Sequence, residues 1–193
     1  MKRSLIVSLR MLSVLTLLTG VLYPAVMTLF AQFLFPRQAN GSLIIKNGNV
    51  VGSELLSQDF SSEKYFHARP SAIGWNPAPS GGTNWGPTDK RMADSAAART
   101  KRFRDENGLA ADVPVPPEMI FASASGVDPH IGPDAALLQV NRVARARGLD
   151  SIATEKLRTL VVSRIEGPQF GLFGMPRVNV LLLNRALDAE WEK

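Results

Sequence analysis

"LTGVLYPAVMTLFAQFLFPRQ" occupies residues 18–38, and residues 11–35 contain no charged side chain. At about 1.5 Å per residue such a run spans roughly 37 Å, against roughly 30 Å of bilayer hydrocarbon. One tilted crossing therefore fits. Pro24 stands inside the run, has no N–H to donate, and its ring opposes the carbonyl of Gly20, four residues back. Breaks of this kind are tolerated in membrane helices when neighbouring helices, hydroxyls or water satisfy the freed groups. Thr16 and Thr19 lie within a turn of Gly20. The expectation is a kinked helix packed against others, with a lone kinked anchor as the plainer alternative.

A cleaved signal peptide would place Lys2, Arg3 and Arg10 in its basic leader. Its apolar core, however, would be only about 7–15 residues long and end at small residues. Here the run is longer and ends in Phe30, Phe33 and Phe35, so a retained anchor is expected. Three basic residues precede the run, and only Arg37 lies within eight residues after it. The excess of positive charge keeps the N-terminus in the cytoplasm. The expected organisation is a cytoplasmic segment over residues 1–10, a transmembrane helix over 11–35 and an extracytoplasmic domain over 36–193.

Setting aside Lys2, Arg3 and Arg10 from the 22 basic residues leaves 19 against 17 acidic ones. So nearly balanced an external part gives little support to nucleic-acid binding. The chain has no cysteine, which excludes disulfides and thiolate metal sites.

Beyond the span, Asn47-Gly48 separates two β-prone arms within residues 41–56 and predicts a hairpin. Residues 67–88 hold Pro70, Pro77, Pro79 and Pro87 with Gly74, Gly81, Gly82 and Gly86. They read as a long ordered loop or a flexible arm. Tyr65, Phe66, Trp75 and Trp85 argue against a bare linker. An alanine-rich helix is predicted from 88 to 106, stopped by Asn107-Gly108, and a short strand from Met119 to Ser123. A helix over 133–147 carries apolar Ala136, Leu137, Val140, Val143 and Ala144, with Arg142 and Arg145 on other faces. Asp150 or Ser151 caps the next, striped by Ile152, Leu157, Leu160, Val161 and Ile165. "VNVLLL" (residues 178–183) reads as a buried strand and Asn184 onward as a closing helix. The fold class is α+β: a single transmembrane helix, then one domain with a small sheet and several helices.

Chemistry is sparse. Gly81 and Gly86 have the spacing of a phosphate-binding loop, but Pro87 stands where the lysine is required, so a turn leading to a helix with proline in its first turn is expected. "SASGVDPH" gathers Ser123, Ser125, Asp128 and His130. It lacks the glycine pattern of a nucleophile elbow and reads as a capped loop. His67 and His130 are the only histidines and lie far apart. Arg142, Arg145 and Arg147 read as a solvated helix face, or as a surface for an acidic partner. These residues point to an accessory or binding role. A membrane-anchored hydrolase built on Ser125 and His130, or a solute-binding module using the aromatic loop, are the rival readings.

Seven segments then occur in order: "YPAVMT", "QANGSLI", "VGSELLSQDF", "YFHARPSA", "SGGTNWGPT", "SASGVDPHIGPDAALLQVNRVARARG" and "PRVNVLLLNRAL". Together they cover most of the chain, which resembles the C subunit of the Kdp potassium-transporting ATPase. One departure is Ala68, where the family usually has glycine. The resemblance implies a bacterial inner-membrane complex with a channel-like potassium-translocating subunit, a P-type ATPase subunit and a small membrane peptide. Potassium would be the transported ion, and ATP would be associated with the complex, with no cofactor held stably by this chain. The Asp-Lys-Thr-Gly phosphorylation sequence does not occur here. The resemblance also implies a chaperone-like role that raises the ATPase subunit's affinity for ATP. Gly20, Tyr23, Pro24 and Thr28 are the expected partner-helix packing residues. Gln38, Asn40, Gly41 and Ser42 are the partner-contact or nucleotide-related residues that the resemblance implies.

Overall fold

The structure is a computed structural model and describes residues 2–191. The first residue of the expected cytoplasmic segment and the last two of the expected external domain lie outside the described residues. The chain divides into two compact units, residues 1–53 and 54–193.

The first unit begins with helix α1 (Lys2–Thr16), a π-helical turn (Leu17–Leu22) and α2 (Tyr23–Leu34). Together they make one apolar rod of 33 residues, long enough to cross a bilayer, with none of it buried within this chain. Pro24 is accommodated by the widened turn. The Tyr23 N–H reaches back five residues to the Leu18 carbonyl, and Pro24 falls at the second position of α2, where a missing N–H is tolerated. The hydroxyl of Thr19 is not spent on Gly20: it donates to the Leu15 carbonyl at 2.7 Å.

A short α3 (Pro36–Ala39) leads into β1 (Leu43–Lys46) and β2 (Asn49–Ser53), which pair antiparallel with a bulge between Ile44 and Ile45. Lys46 faces Asn49 across a two-residue turn, and Asn47 and Gly48 take φ of 53° and 79°. These are the left-handed angles a type I′ turn requires, so the hairpin stands as expected.

The second unit packs helices around a small sheet. Its elements are α4 (Lys90–Asn107), α5 (Pro117–Ile120), β3 (His130–Ile131), α6 (Pro133–Ala146), α7 (Ser151–Ser163), β4 (Ile165–Glu166), β5 (Arg177–Asn179) and α8 (Val180–Trp191). The sheet order is β3-β5-β4, antiparallel throughout, with Val178 between Ile131 and Ile165. Phe66, Phe103, Val140, Val143, Leu157, Val161, Val178, Leu183 and Leu187 form the core. Most helix ends follow their local signals. The Asp89 and Asp150 side chains accept from Arg91 N and Ala153 N, and Gly108 and Gly148 stop α4 and α6 at φ of 63° and 67°.

Four expectations are corrected. Met119–Ser123 is not a strand: Pro117 and Glu118 open a one-turn helix that ends at Ile120, proline being suited to a first helical turn. "VNVLLL" is strand only to Asn179. There the side-chain oxygen accepts from Leu182 N at 3.1 Å, as a helix cap does, and α8 begins at Val180. On α7 the stripe is narrower than expected, because Ile152 is 80% exposed and Ile165 belongs to β4. Pro87 lies ahead of the helix: it follows Gly86 in a turn closed by Asp89 N to Gly86 O, before the Asp89 cap.

Residues 54–89 contain no helix or strand, yet they are tied down by hydrogen bonds. Asn184 brackets Phe66, accepting from its N–H (2.8 Å) and donating to its carbonyl (2.9 Å). Gln139 does the same for His67 at 2.7 and 3.2 Å. Two helical carboxamides thus replace the neighbouring strand that an extended backbone would otherwise need. Ala68 is buried and has no positive φ, so its methyl group meets no backbone conflict. Farther on, the loop rests on residues 123–127. Gly81 N donates to Ser125 O (3.0 Å), Ser123 N to Pro70 O (3.0 Å) and Ser71 Oγ to Gly126 O (2.7 Å). It is an ordered loop.

Candidate functional site

The arginine cluster is rearranged by folding. Arg142, expected on a solvated face, is 1% exposed. Its Nε donates to Asn107 Oδ1 (3.0 Å), Nη1 to the Glu63 carbonyl (2.6 Å), and Nη2 to the Tyr65 carbonyl (2.9 Å) and Gln139 Oε1 (2.8 Å). Burial pulls its pKa down to about 10, with Glu106 and Glu63 opposing. Every acceptor is neutral, so the charge is held by dipoles and not by a carboxylate contact. Arg147 is also engaged. It bonds Asp188 Oδ1 (2.6 Å) and the Lys64 carbonyl (2.8 Å) and lies over the Tyr65 ring, whose hydroxyl bonds Asp188 Oδ2. Only Arg145 of the three is exposed. Arg142 and Arg147 therefore bind the 63–67 backbone to α6 and α8, and the three arginines do not share one exposed basic face.

In "SASGVDPH" the polar groups serve the turn. Ser125 Oγ accepts from Val127 N (3.3 Å), and Asp128 Oδ1 accepts from His130 N (3.0 Å). Asp128 also takes a hydrogen bond from Arg69 Nη1 at 2.9 Å, with His130 Nδ1 3.4 Å away. Burial pushes the Asp128 carboxyl up, but the hydrogen bonds from His130 and Arg69 outweigh it and bring the pKa down to about 2. No hydrogen bond among the described residues joins Ser125 to His130, and Ser123 Oγ is buried without a partner there. A nucleophile aligned with its base is not formed. Nor do three metal-binding side chains cluster among the described residues.

Beside this turn opens a groove of about 910 Å³, lined by Val113, Val115, Ile131, Leu137, Leu138 and a series of prolines. Its three arginines are paired: Arg69 with Asp128, Arg158 with Glu155 and Arg177 with Glu166, while Glu118 accepts from Gly132 N at 3.1 Å.

In the first unit, Gly20 lies in the π turn, where an added Cβ would approach only Thr16 Cγ2 at 3.9 Å. Tyr23, Pro24 and Thr28 follow on α2, all exposed. Gln38, Asn40, Gly41 and Ser42 build the turn from α3 into the hairpin. The Gln38 carbonyl accepts from Gly41 N at 2.9 Å, and the Asn40 amide donates to Gln32 Oε1 (3.1 Å) and the Pro36 carbonyl (2.6 Å). Gly41 and Ser42 both take positive φ, and Ser42 is buried.

The bracing roles of the carboxamides Asn107, Gln139 and Asn184 were not read from the sequence, where Asn107 and Asn184 mark only helix boundaries, although Gln139 and Asn184 each interrupt an otherwise apolar helical stripe. So did the exposed apolar turn at residues 170–175.

A family profile described as "K+-transporting ATPase, c chain" matches residues 5–189. A potassium-transporting ATPase KdpC subunit from Burkholderia orbicola (strain MC0-3) is 52% identical over 179 residues, covering 91% of each chain. The similarly named subunit of Myxococcus xanthus is 50% identical over 184 residues, 94% of this chain and 85% of that one. That of Geobacter metallireducens is 48% identical over 182 residues, 92% and 93%. The chain belongs to the family of C chains of potassium-transporting ATPases.

Proposed function

We propose that this chain, as a member of that family, is a non-catalytic accessory subunit that supports assembly of an ATP-driven potassium-uptake complex and raises the ATP affinity of its ATPase subunit. Its partners are a channel-like potassium-translocating subunit, a P-type ATPase subunit and a small membrane peptide. It resides in the bacterial inner membrane with residues 1–10 in the cytoplasm, 11–35 in lipid and the remainder outside. The observation that carries this reading is the membrane-length helix with no buried residue and a π turn at Leu17–Leu22. π turns gather at functional sites in helices, and small residues allow another helix to approach. Gly20, Tyr23, Pro24 and Thr28 supply that face, and Gln38–Ser42 shape the exit from it. ATP lies on the cytoplasmic side, so the effect on nucleotide affinity passes through the complex and not through contact with the external domain.

Affinity purification of the tagged full chain from membranes tests this. The channel-like and ATPase subunits are expected to come with it, and the complex without this chain to need more ATP for half-maximal hydrolysis. Protease added to spheroplasts should digest the domain after residue 36. Ser125→Ala and His130→Ala should leave potassium-stimulated hydrolysis within a few-fold of normal. A loss on the order of 10³-fold with assembly intact would instead restore the hydrolase reading.

A further inference from the structure

Between β4 and β5 the chain makes a tight apolar turn, residues 167–176, with no charged side chain. Phe170 is 83% exposed, Leu172 80%, Phe173 67% and Met175 83%. Other exposed apolar residues of this unit, such as Ile152 and Val162, stand singly, whereas these four follow one another on one tip. A contiguous patch of that kind calls for a covering surface. We infer that this turn inserts its side chains into the surface of the membrane to which the same chain is anchored.

Three features favour lipid over a protein partner. The turn satisfies four of its own N–H groups: Gln169 N to Phe173 O (2.8 Å), Phe173 N to Gln169 O (2.9 Å), Gly171 N to Pro168 O and Leu172 N to Gln169 O. Internal bonds of this kind lower the cost of lying against an apolar phase, and they suit insertion of side chains at headgroup depth, where water still reaches the remaining backbone groups. Gln169 is the only hydrogen-bonding side chain on the tip, so the polar rim usual in protein interfaces is missing. At the neck, Arg177 Nε bonds Glu166 Oε2 at 3.0 Å, placing charge where the tip would leave the hydrocarbon for the headgroups. Phe170 also holds φ of 55°, an uncommon angle for a bulky residue, with its ring turned out to solvent. The apolar rod of residues 2–34 supplies the occupant, because the chain that carries the turn also carries a membrane-length helix.

The inference rests on the membrane-anchor reading, and the absence of cysteine allows both to be tested in one experiment. Leu172→Cys, Phe30→Cys and Ile152→Cys are each labelled with an environment-sensitive fluorophore on the full chain, reconstituted in vesicles containing brominated phosphatidylcholine. Quenching is expected at 30 and at 172, several-fold stronger than at 152. Quenching at 30 but not at 172, or equally at 152 and 172, overturns the inference and leaves the anchor standing. No quenching at 30 removes the anchor and the inference with it. Protection of the 172 label only after the channel-like subunit is added also overturns it, assigning the turn to a protein partner.

Discussion

Arg142 Nε donates to Asn107 Oδ1 at 3.0 Å, and the two residues are 1% and 4% exposed. Asn107 closes α4 and donates in turn to the Phe103 carbonyl at 2.8 Å. A buried guanidinium on α6 thus meets a carboxamide at the end of α4, while its other nitrogens hold the backbone of residues 63 and 65. Three segments share one charge.

Arg142→Met removes that shared donor and strands the acceptors. The expected loss is about 1–3 kcal/mol, the range for leaving a buried polar group without its hydrogen-bond partner. Arg145→Ala, on the exposed face, should stay within about 0.5 kcal/mol. Denaturant unfolding of the full chain in detergent measures both. Equal costs would show that the clamp contributes nothing.

Gly126 has φ of 73°, and a Cβ there would collide with Ile73 Cγ1 and lie 2.7 Å from the Gly81 carbonyl. Gly126→Ala therefore adds left-handed strain to a clash with backbone. A cost of about 2–4 kcal/mol is expected, together with release of residues 71–82. Limited proteolysis should show new cleavage within that loop, and an unchanged pattern would refute the contact.

Pro24→Ala should let the π turn relax toward regular α-helix. An interior proline costs a helix about 3 kcal/mol, but here the widened turn already relieves part of it, so the isolated helix should gain less. Insertion is expected to be normal and co-purification with the channel-like and ATPase subunits weaker. Gly20→Leu should worsen this, since within the chain its Cβ has room and any clash must come from a partner. Wild-type assembly by both variants would make the turn incidental.

Acid titration should show two steps. Burial first, then the Arg142 charge, holds the His67 pKa below its usual value against the opposing pull of the Ser62 carbonyl and Glu106. The folded state therefore prefers neutral His67. Its contribution is complete above the unfolded pKa of about 6.5 and falls as pH drops through it, levelling below the lowered folded value. Asp128 acts lower. With its folded pKa about 2 and its unfolded one about 3.9, its contribution is present above about pH 4 and lost on the way down to about 2. Partial exposure limits that contribution to on the order of 1 kcal/mol. His67→Gln should flatten only the upper step of stability against pH, and Asp128→Asn only the lower.

Local signals were legible where a few adjacent residues decide the backbone. The apolar run over residues 11–35 specified the long helix, because a segment without charge has one partner phase. Asn47-Gly48 specified the hairpin through its left-handed angles, Asp150 the start of α7, and Gly108 and Gly148 the ends of α4 and α6. Short apolar runs were not legible in this way. Val178–Leu183 suits strand or helix equally, and pairing with Ile131 and Ile165 together with the Asn179 cap divided it between the two. The fate of Arg142 was least accessible of all. In its stretch of sequence it is one arginine among three, and the carbonyls that allow it to be buried lie 77 and 79 residues away in sequence. Burial of a charge depends on acceptors gathered from distant segments, and only the folded chain brings them together.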